Sequence, residues 1–207
     1  MEYNGCIPKA AVQAGRRMDR PKLFSKLRGC DMQENEHTLL TNQTLQHQVE
    51  ELRERASKDA LSGLLNRTTA EQYIRDRLES MGAEDTCALF IVDLDHFKRI
   101  NDTLGHQAGD QAIRQAAKIL SGLFRASDIV GRLGGDEFMI FLSGPITENL
   151  VHRKAQAICE RLQLMLGTDP GISLTASTGV HIASGKGQRF EGLYQAADLA
   201  LYKAKKN

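Results

Sequence analysis

Two acidic pairs carry the residue types from which chemistry can be built. Asp93 and Asp95 close an apolar run, Cys87-Ala-Leu-Phe-Ile-Val92, and Asp136-Glu137 follow two adjacent glycines, Gly134 and Gly135. Carboxylates are hard oxygen donors, the kind that Mg²⁺ takes together with the phosphates of a substrate. Gathering several of them is unfavourable unless a cation neutralises them. The glycines lack side chains, so a phosphate or a base can approach the backbone closely. Lys98 and Lys205 offer mobile point charges suited to a triphosphate. Asn101 and Asp110 complete the polar set. An Asn has one acceptor and two donors, whereas an Asp only accepts. A carboxylate opposite two adjacent donors matches the N1–H and N2 edge of guanine and repels the N1 acceptor of adenine, provided these residues face the base. The chemistry these types support is metal-dependent work on phosphates.

Each element also has a plainer account. Asn101-Asp102-Thr103 can cap a turn, and Gly-Gly-Asp is an ordinary hairpin turn. Lys98 and Arg99 fit a solvated surface. His96 fits local packing or the surface better than a metal, because no second His or Cys stands at a useful spacing.

The elements that must hold these residues are legible from periodicity. Asn66 starts a helix running through Ile74 and Leu78. Cys87–Val92 reads as a central strand, and Ala108–Phe124 as a helix with Ile113, Ala116, Ala117, Leu120 and Phe124 at helical spacing. Ile129–Leu133 and Phe138–Leu142 form a hairpin around the Gly-Gly-Asp-Glu turn. A helix from Thr147, its N-cap, to Leu166, a β-rich stretch Ile172–Ile182 and a helix Phe190–Lys205 follow. This order predicts an α+β fold: a central, mostly antiparallel sheet with a βαββαβ core of ferredoxin-like or polymerase-palm-like kind, covered by helices and preceded by an N-terminal helix. The hairpin argues against a purely parallel sheet, and no GxGxxG follows a strand.

Upstream, residues 1–35 read as a leader or the remnant of a preceding region, with a basic helix over 9–20 as the strongest local pattern. Residues 36–58 lack Pro and Gly and place Leu45, Val49, Leu52 and Ala56 at heptad spacing, with Asn42 and Thr38 on the same stripe. A short coiled-coil stalk is expected, against the alternative of a single amphipathic helix packed on its own domain. Residues 59–207 form the main domain.

Composition narrows the partners. The net charge of +1 among 207 residues gives no global field for a long nucleic acid, although a nucleotide needs only local charges. The 4 cysteines, Cys6, Cys30, Cys87 and Cys159, form no CxxC pair, which disfavours structural zinc and a disulfide framework. Cys87 and Cys159 lie in apolar runs and are expected to be buried thiols. No run approaches 18 apolar residues, and a cytoplasmic location is the default expectation.

Five ordered motifs resemble the GGDEF family, the diguanylate cyclases. Gly134-Gly135-Asp136-Glu137-Phe138 matches its signature. The others are Asp59-Ala-Leu-Ser-Gly-Leu-Leu-Asn66-Arg67, Asp93-Leu-Asp95-His-Phe97-Lys98-Arg-Ile-Asn101-Asp102, Gly105-His106-Gln-Ala-Gly109-Asp110 and Ala197-Asp198-Leu-Ala-Leu-Tyr202-Lys-Ala-Lys205. The resemblance implies that Asp93, the backbone carbonyl of Leu94, Asp136 and Glu137 hold Mg²⁺, with Mn²⁺ as a substitute. It assigns guanine to Asn101 and Asp110, the phosphates to Lys98 and Lys205, and close approach to Gly134 and Gly135. The implied reaction joins two GTP molecules into cyclic di-GMP and two pyrophosphates across a homodimer, with Asp93, Asp136 and Glu137 as the catalytic set. Arg125-Ala-Ser-Asp128 resembles the family's RxxD product-inhibition site, with Arg153 as a further contact. An upstream sensory domain or partner protein is implied as the source of the signal.

Departures are few. Ser62 stands where a Thr is usual, and both carry a small hydroxyl. The family continues past the position of Asn207 with a Gly-Arg-Asn element and a closing strand, so the resemblance implies a domain truncated at its C-terminal edge. The competing expectation is a catalytically weak GGDEF module that binds GTP or cyclic di-GMP as a regulatory receptor.

Overall fold

The computed structural model describes residues 42–166 and 175–206. The basic segment 9–20, residues 36–41 of the expected stalk including Thr38, Cys6, Cys30 and the start of the β-rich stretch at Ile172 lie outside these residues. Helix α1 spans 42–57 and exposes Leu45, Val49 and Leu52. The unit Arg53–Asn207 contains the whole sheet.

Its elements follow in the order β1 (Leu65–Asn66), α2 (Arg67–Glu79), β2 (Thr86–Leu94), α3 (Phe97–Leu104), α4 (His106–Leu123), β3 (Ile129–Gly134), β4 (Glu137–Gly144), α5 (Glu148–Leu166), β5 (Ala176–Ser184) and α6 (Phe190–Ala204). The strands lie in the order β1-β3-β4-β2-β5, antiparallel except for the parallel pair β1 and β3. Removing β1 and α2 leaves the expected βαββαβ core, with its hairpin inserted beside the first core strand.

Burial explains why β2 sits in the middle. Every residue from Cys87 to Leu94 is buried, which requires cover on both faces. Ala88, Phe90 and Val92 face the cluster built with α4 and α5, while Cys87, Leu89 and Ile91 face the cluster built with α2 and α6. The same alternation runs along β4. Phe90 meets Phe124 edge-on with ring centroids 6.0 Å apart, an arrangement that aromatic quadrupoles favour. Burial pushes the Cys87 thiol up to about 11, as expected of an inert core cysteine. Cys159 is only half-buried, and its Sγ reaches the Ala176 carbonyl at 3.4 Å.

Two helix starts follow the sequence reading. Asn66 Oδ1 accepts from Thr69 N at 3.0 Å, capping α2 and aligning Ala70, Ile74 and Leu78 on its buried face. Thr147 Oγ1 accepts from Leu150 N at 3.2 Å at the head of α5. Helix α6 lies unusually close to β5: a Cβ on Gly179 would stand 2.2 Å from both the Ala197 carbonyl oxygen and the Leu201 nitrogen. Only a glycine permits that separation, and it fixes where α6 delivers its C-terminal end.

Two features depart from the expected elements. Asn101-Asp102-Thr103 lies inside the short helix α3 rather than at a turn. The parallel strand β1 is too short for any periodicity to reveal.

Candidate active site

The acidic pairs meet because of strand register. Asp93 is the partner of Glu137 across β2 and β4 and of Ser177 across β2 and β5. Both Asp93 and Glu137 continue the alternation that faces α2 and α6. Leu94 N donates to the Asp136 carbonyl at 3.2 Å, tying the end of β2 to the hairpin turn. That turn needs its glycines: Gly134 and Gly135 have φ of 142° and 53°, values that side chains disfavour.

The turn is held from beneath by a residue that the sequence reading missed. Arg132 donates from Nε and Nη2 to the Gly135 carbonyl at 3.1 and 2.7 Å, and from Nη1 to Asp59 Oδ1 at 2.9 Å. Asp59 also accepts from Ser62 N at 2.8 Å, so the opening motif and the signature turn are one hydrogen-bonded unit. Burial alone would raise the Asp59 carboxyl. The Ser62 hydrogen bonds and the Arg132 guanidinium outweigh burial and hold it below the ordinary range. The Ser62 hydroxyl accepts from Leu64 N at 3.3 Å, a role open to either small hydroxyl residue.

Asp95 serves the scaffold. Its carboxylate accepts from Thr175 Oγ1 and Ser177 Oγ, each at 2.7 Å, and its N–H donates to the Thr175 carbonyl at 2.8 Å. The chain then turns through His96, which is exposed and holds a left-handed φ of 59°. That turn starts α3 at Phe97, and the first N–H groups of any helix have no intrahelical acceptor.

A cavity of about 500 Å³ opens here, lined by Asp93, Asp136, Lys98 and Lys205 among others. Lys205 Nζ stands 2.8 Å from Asp93 Oδ2. Burial first, then Asp136 and Asp95, push the Asp93 carboxyl above its ordinary value despite that lysine. Glu137 is pushed up likewise, by burial and then by Asp93 and Asp136. Tyr194 borders it, its hydroxyl raised by burial and then by Glu137.

Among the described residues, no three His, Cys, Asp or Glu side chains converge closely enough to hold a metal ion. The donors nevertheless fit a hard divalent cation in kind: carboxylates at adjoining strand ends, where burial and then mutual repulsion raise Asp93 and Glu137.

Asn101 and Asp110 come from adjacent helices. A Cβ on Gly109 would stand 2.0 Å from Asn101 Oδ1, so the glycine is what lets the Asn side chain lie against α4. Asp110 is exposed, with Arg114 Nη2 3.8 Å from its Oδ2. Neither residue lines the carboxylate cavity.

A larger cavity, about 790 Å³, lies at the opposite end of the sheet, where β3 begins. Arg125 and Asp128 line it with Lys58, Tyr73 and Arg77. Asp128 Oδ2 accepts from the backbone N of Arg125 at 2.8 Å, which closes the turn. The exposed guanidinium of Arg125 forms no ion pair among the described residues. Arg153 stands exposed on α5 and does not line this cavity. Among the described residues, no helix is long and apolar enough to cross a membrane.

The family model described as "Diguanylate cyclase, GGDEF domain" matches residues 56–207. The probable diguanylate cyclase DgcC of Escherichia coli is 36% identical over 152 residues, 73% of this chain and 41% of that protein. The cyclic di-GMP phosphodiesterase NbdA of Pseudomonas aeruginosa is 36% identical over 168 residues, 80% of this chain and 21% of its own length. The chain thus spans less than half the length of these relatives. Among solved structures, the coiled coil and GGDEF domain of DgcB from Caulobacter crescentus in complex with c-di-GMP superposes with a TM-score of 0.74 at 25% identity. That likeness covers 84% of this chain and 94% of the other.

Proposed function

The chain belongs to the diguanylate cyclase GGDEF-domain family, and from that premise we propose that it is a diguanylate cyclase. Two GTP molecules condense to cyclic di-GMP with release of two pyrophosphates. The observation that carries this reading is the register of Asp93 against Glu137, with the Arg132-clamped glycine turn carrying Asp136 beside them.

Asp93, Asp136, Glu137 and the carbonyl of Leu94 would hold Mg²⁺ or Mn²⁺. Such an ion supplies neutralisation of the triphosphate and a lower pKa for the attacking hydroxyl. Lys98 and Lys205 hold the phosphates, assisted by the first N–H groups of α3. Asn101 and Asp110 read the guanine edge, Asp110 accepting from N1–H and N2. The 3′-oxygen of one GTP attacks the α-phosphorus of the other, the bond to the pyrophosphate oxygen breaks, and the hydroxyl proton leaves. A second, reciprocal transfer closes the ring. Positioning and electrostatics carry most of the rate in such transfers.

Each domain supplies one nucleotide, so two must face each other in a homodimer. The exposed stripe Leu45, Val49 and Leu52 on α1 supports a stalk over 36–58 that pairs two copies. It would relay a signal from an upstream domain or partner protein, in the cytoplasm where GTP is made. Residues 59–207 form the catalytic domain in this reading.

Incubation of the purified chain with GTP and Mg²⁺, followed by chromatography and mass analysis beside Asp136→Ala, tests the proposal. Cyclic di-GMP and pyrophosphate from the unaltered chain alone are expected, and binding of GTP without product by a dimeric chain would overturn it. That outcome would favour the receptor reading, a module that binds GTP or cyclic di-GMP with little turnover. The 790 Å³ cavity beside Arg125 and Asp128 is the observation on its side.

A further inference from the structure

Lys205 stands in an unexpected place for a phosphate ligand: its ammonium is spent on a carboxylate assigned to the metal. Nζ lies 2.8 Å from Asp93 Oδ2, and the side chains of the pair are 41% and 10% exposed. The asymmetry matters. Asp93 is confined in the strand, whereas the lysine has solvent room to move. Helix α6 is seated on β5 through Gly179, and Lys205 N donates to the Leu201 carbonyl at 3.0 Å, so the backbone carrying the lysine is fixed. What can move is the four-carbon stem. The cavity of about 500 Å³ that Asp93 and Lys205 share is also lined by Leu94, Asp136 and Lys98, so three of the four assigned metal donors and both phosphate lysines border one space, with Glu137 outside its lining.

An ammonium and a divalent cation compete for the same Asp93 oxygen, and a nearby positive charge also repels the incoming ion. Phosphates offer the lysine a stronger, more highly charged partner than one carboxylate. We infer that Lys205 is a tethered counter-ion of the carboxylate site, which holds Asp93 and weakens divalent-cation binding until the phosphates of a nucleotide draw it away. This inference rests on Asp93 being a metal ligand. Its consequence is that metal and nucleotide bind cooperatively, because the release of one lysine serves both. The lysine is thereby a guard against metal loading without substrate, a role separate from holding phosphate.

The test measures Mn²⁺ binding to the purified chain without nucleotide, from the electron paramagnetic resonance signal of the free ion. Lys205→Met should bind Mn²⁺ about tenfold more tightly than the unaltered chain, the size expected for removing one charge at a partly exposed site. Lys205→Arg, which keeps the charge, should bind like the unaltered chain, separating charge from packing. In the same preparations and without metal, the α,β-methylene analogue of GTP should bind Lys205→Met more weakly. Thermal unfolding checks that each variant is folded. Equal Mn²⁺ affinity in the unaltered chain and Lys205→Met, abolished in both by Asp93→Asn, would overturn the guard while leaving the metal site intact. Unchanged affinity for the analogue would overturn the hand-over to phosphate. Mn²⁺ affinity that Asp93→Asn does not alter, or no affinity in any chain, would overturn the metal site and the guard together.

Discussion

The two ends of the sheet solve opposite electrostatic problems. At the end of β2, like charges are packed together: Asp93 and Glu137 are partners in register, Asp136 adjoins them, and Lys205 is drawn in as compensation. At the start of β3 the charges are opposite yet kept apart. Asp128 is satisfied by the backbone of Arg125, whose exposed side chain lines the larger cavity. The first arrangement concentrates like charge, which a cation would neutralise. The second leaves a planar donor group without an ion pair among the described residues. On the proposed reading, the first region is changed by its ligand and the second receives one.

Removing one group from each end of the sheet has the largest expected effect. Asp136→Ala should lower cyclic di-GMP formation by about a thousandfold or more, while Arg125→Ala should leave the initial rate within about twofold and relax inhibition by added product. Initial rates with and without cyclic di-GMP check both. An Arg125→Ala variant as inactive as Asp136→Ala would merge the two regions into one site.

Next in size is the clamp beneath the turn. Arg132→Ala leaves the Gly135 carbonyl without this donor and Asp59 with only its Ser62 hydrogen bonds, and should cost about 2–3 kcal/mol in urea unfolding. The pH dependence gives the sign. Because folding lowers the Asp59 pKa, its contribution is present above the unfolded carboxylate range and fades as pH falls through the folded value. Arg132→Ala should therefore lose most stability near neutrality and less in acid.

Gly109→Ala comes third. Its methyl would displace Asn101 from α4, which should raise KM for GTP about tenfold with a smaller change in kcat. Binding of cyclic di-GMP at the Arg125 end should not change, which calorimetry on the Gly109→Ala chain can check.

The smallest effect concerns the like charge itself. Folding raises the Glu137 pKa, so ionised Glu137 costs stability at neutral pH, and this cost disappears as pH falls below the unfolded carboxylate value. Glu137→Gln should be more stable than the unaltered chain by about 0.5 kcal/mol at pH 7.5, after discounting for solvent screening. The difference should vanish at acid pH, and thermal unfolding at both values checks it. Lower stability at neutral pH would mean that Glu137 is held by a favourable partner.

Much of this was legible in the residues. The apolar run before Asp93, the hairpin signal at Gly134-Gly135 and the polar start at Asn66 each announce an element by a local pattern, because helix and strand geometry repeat every few residues. The same geometry makes the motifs recognisable, so the sequence alone determined the order of the elements other than β1 and α3, the family resemblance and the candidate residues. The structure then decided which of those residues meet. It joined Asp59 to the Gly135 carbonyl through Arg132, bound Asp95 to Thr175 and Ser177, and pressed Asn101 against Gly109. It also set the Lys205 ammonium on Asp93 and left Arg125 without an ion pair to Asp128. None of these pairings has a period to read. They depend on strand register and on how closely a helix can approach the sheet, quantities fixed only when distant parts of the chain pack together.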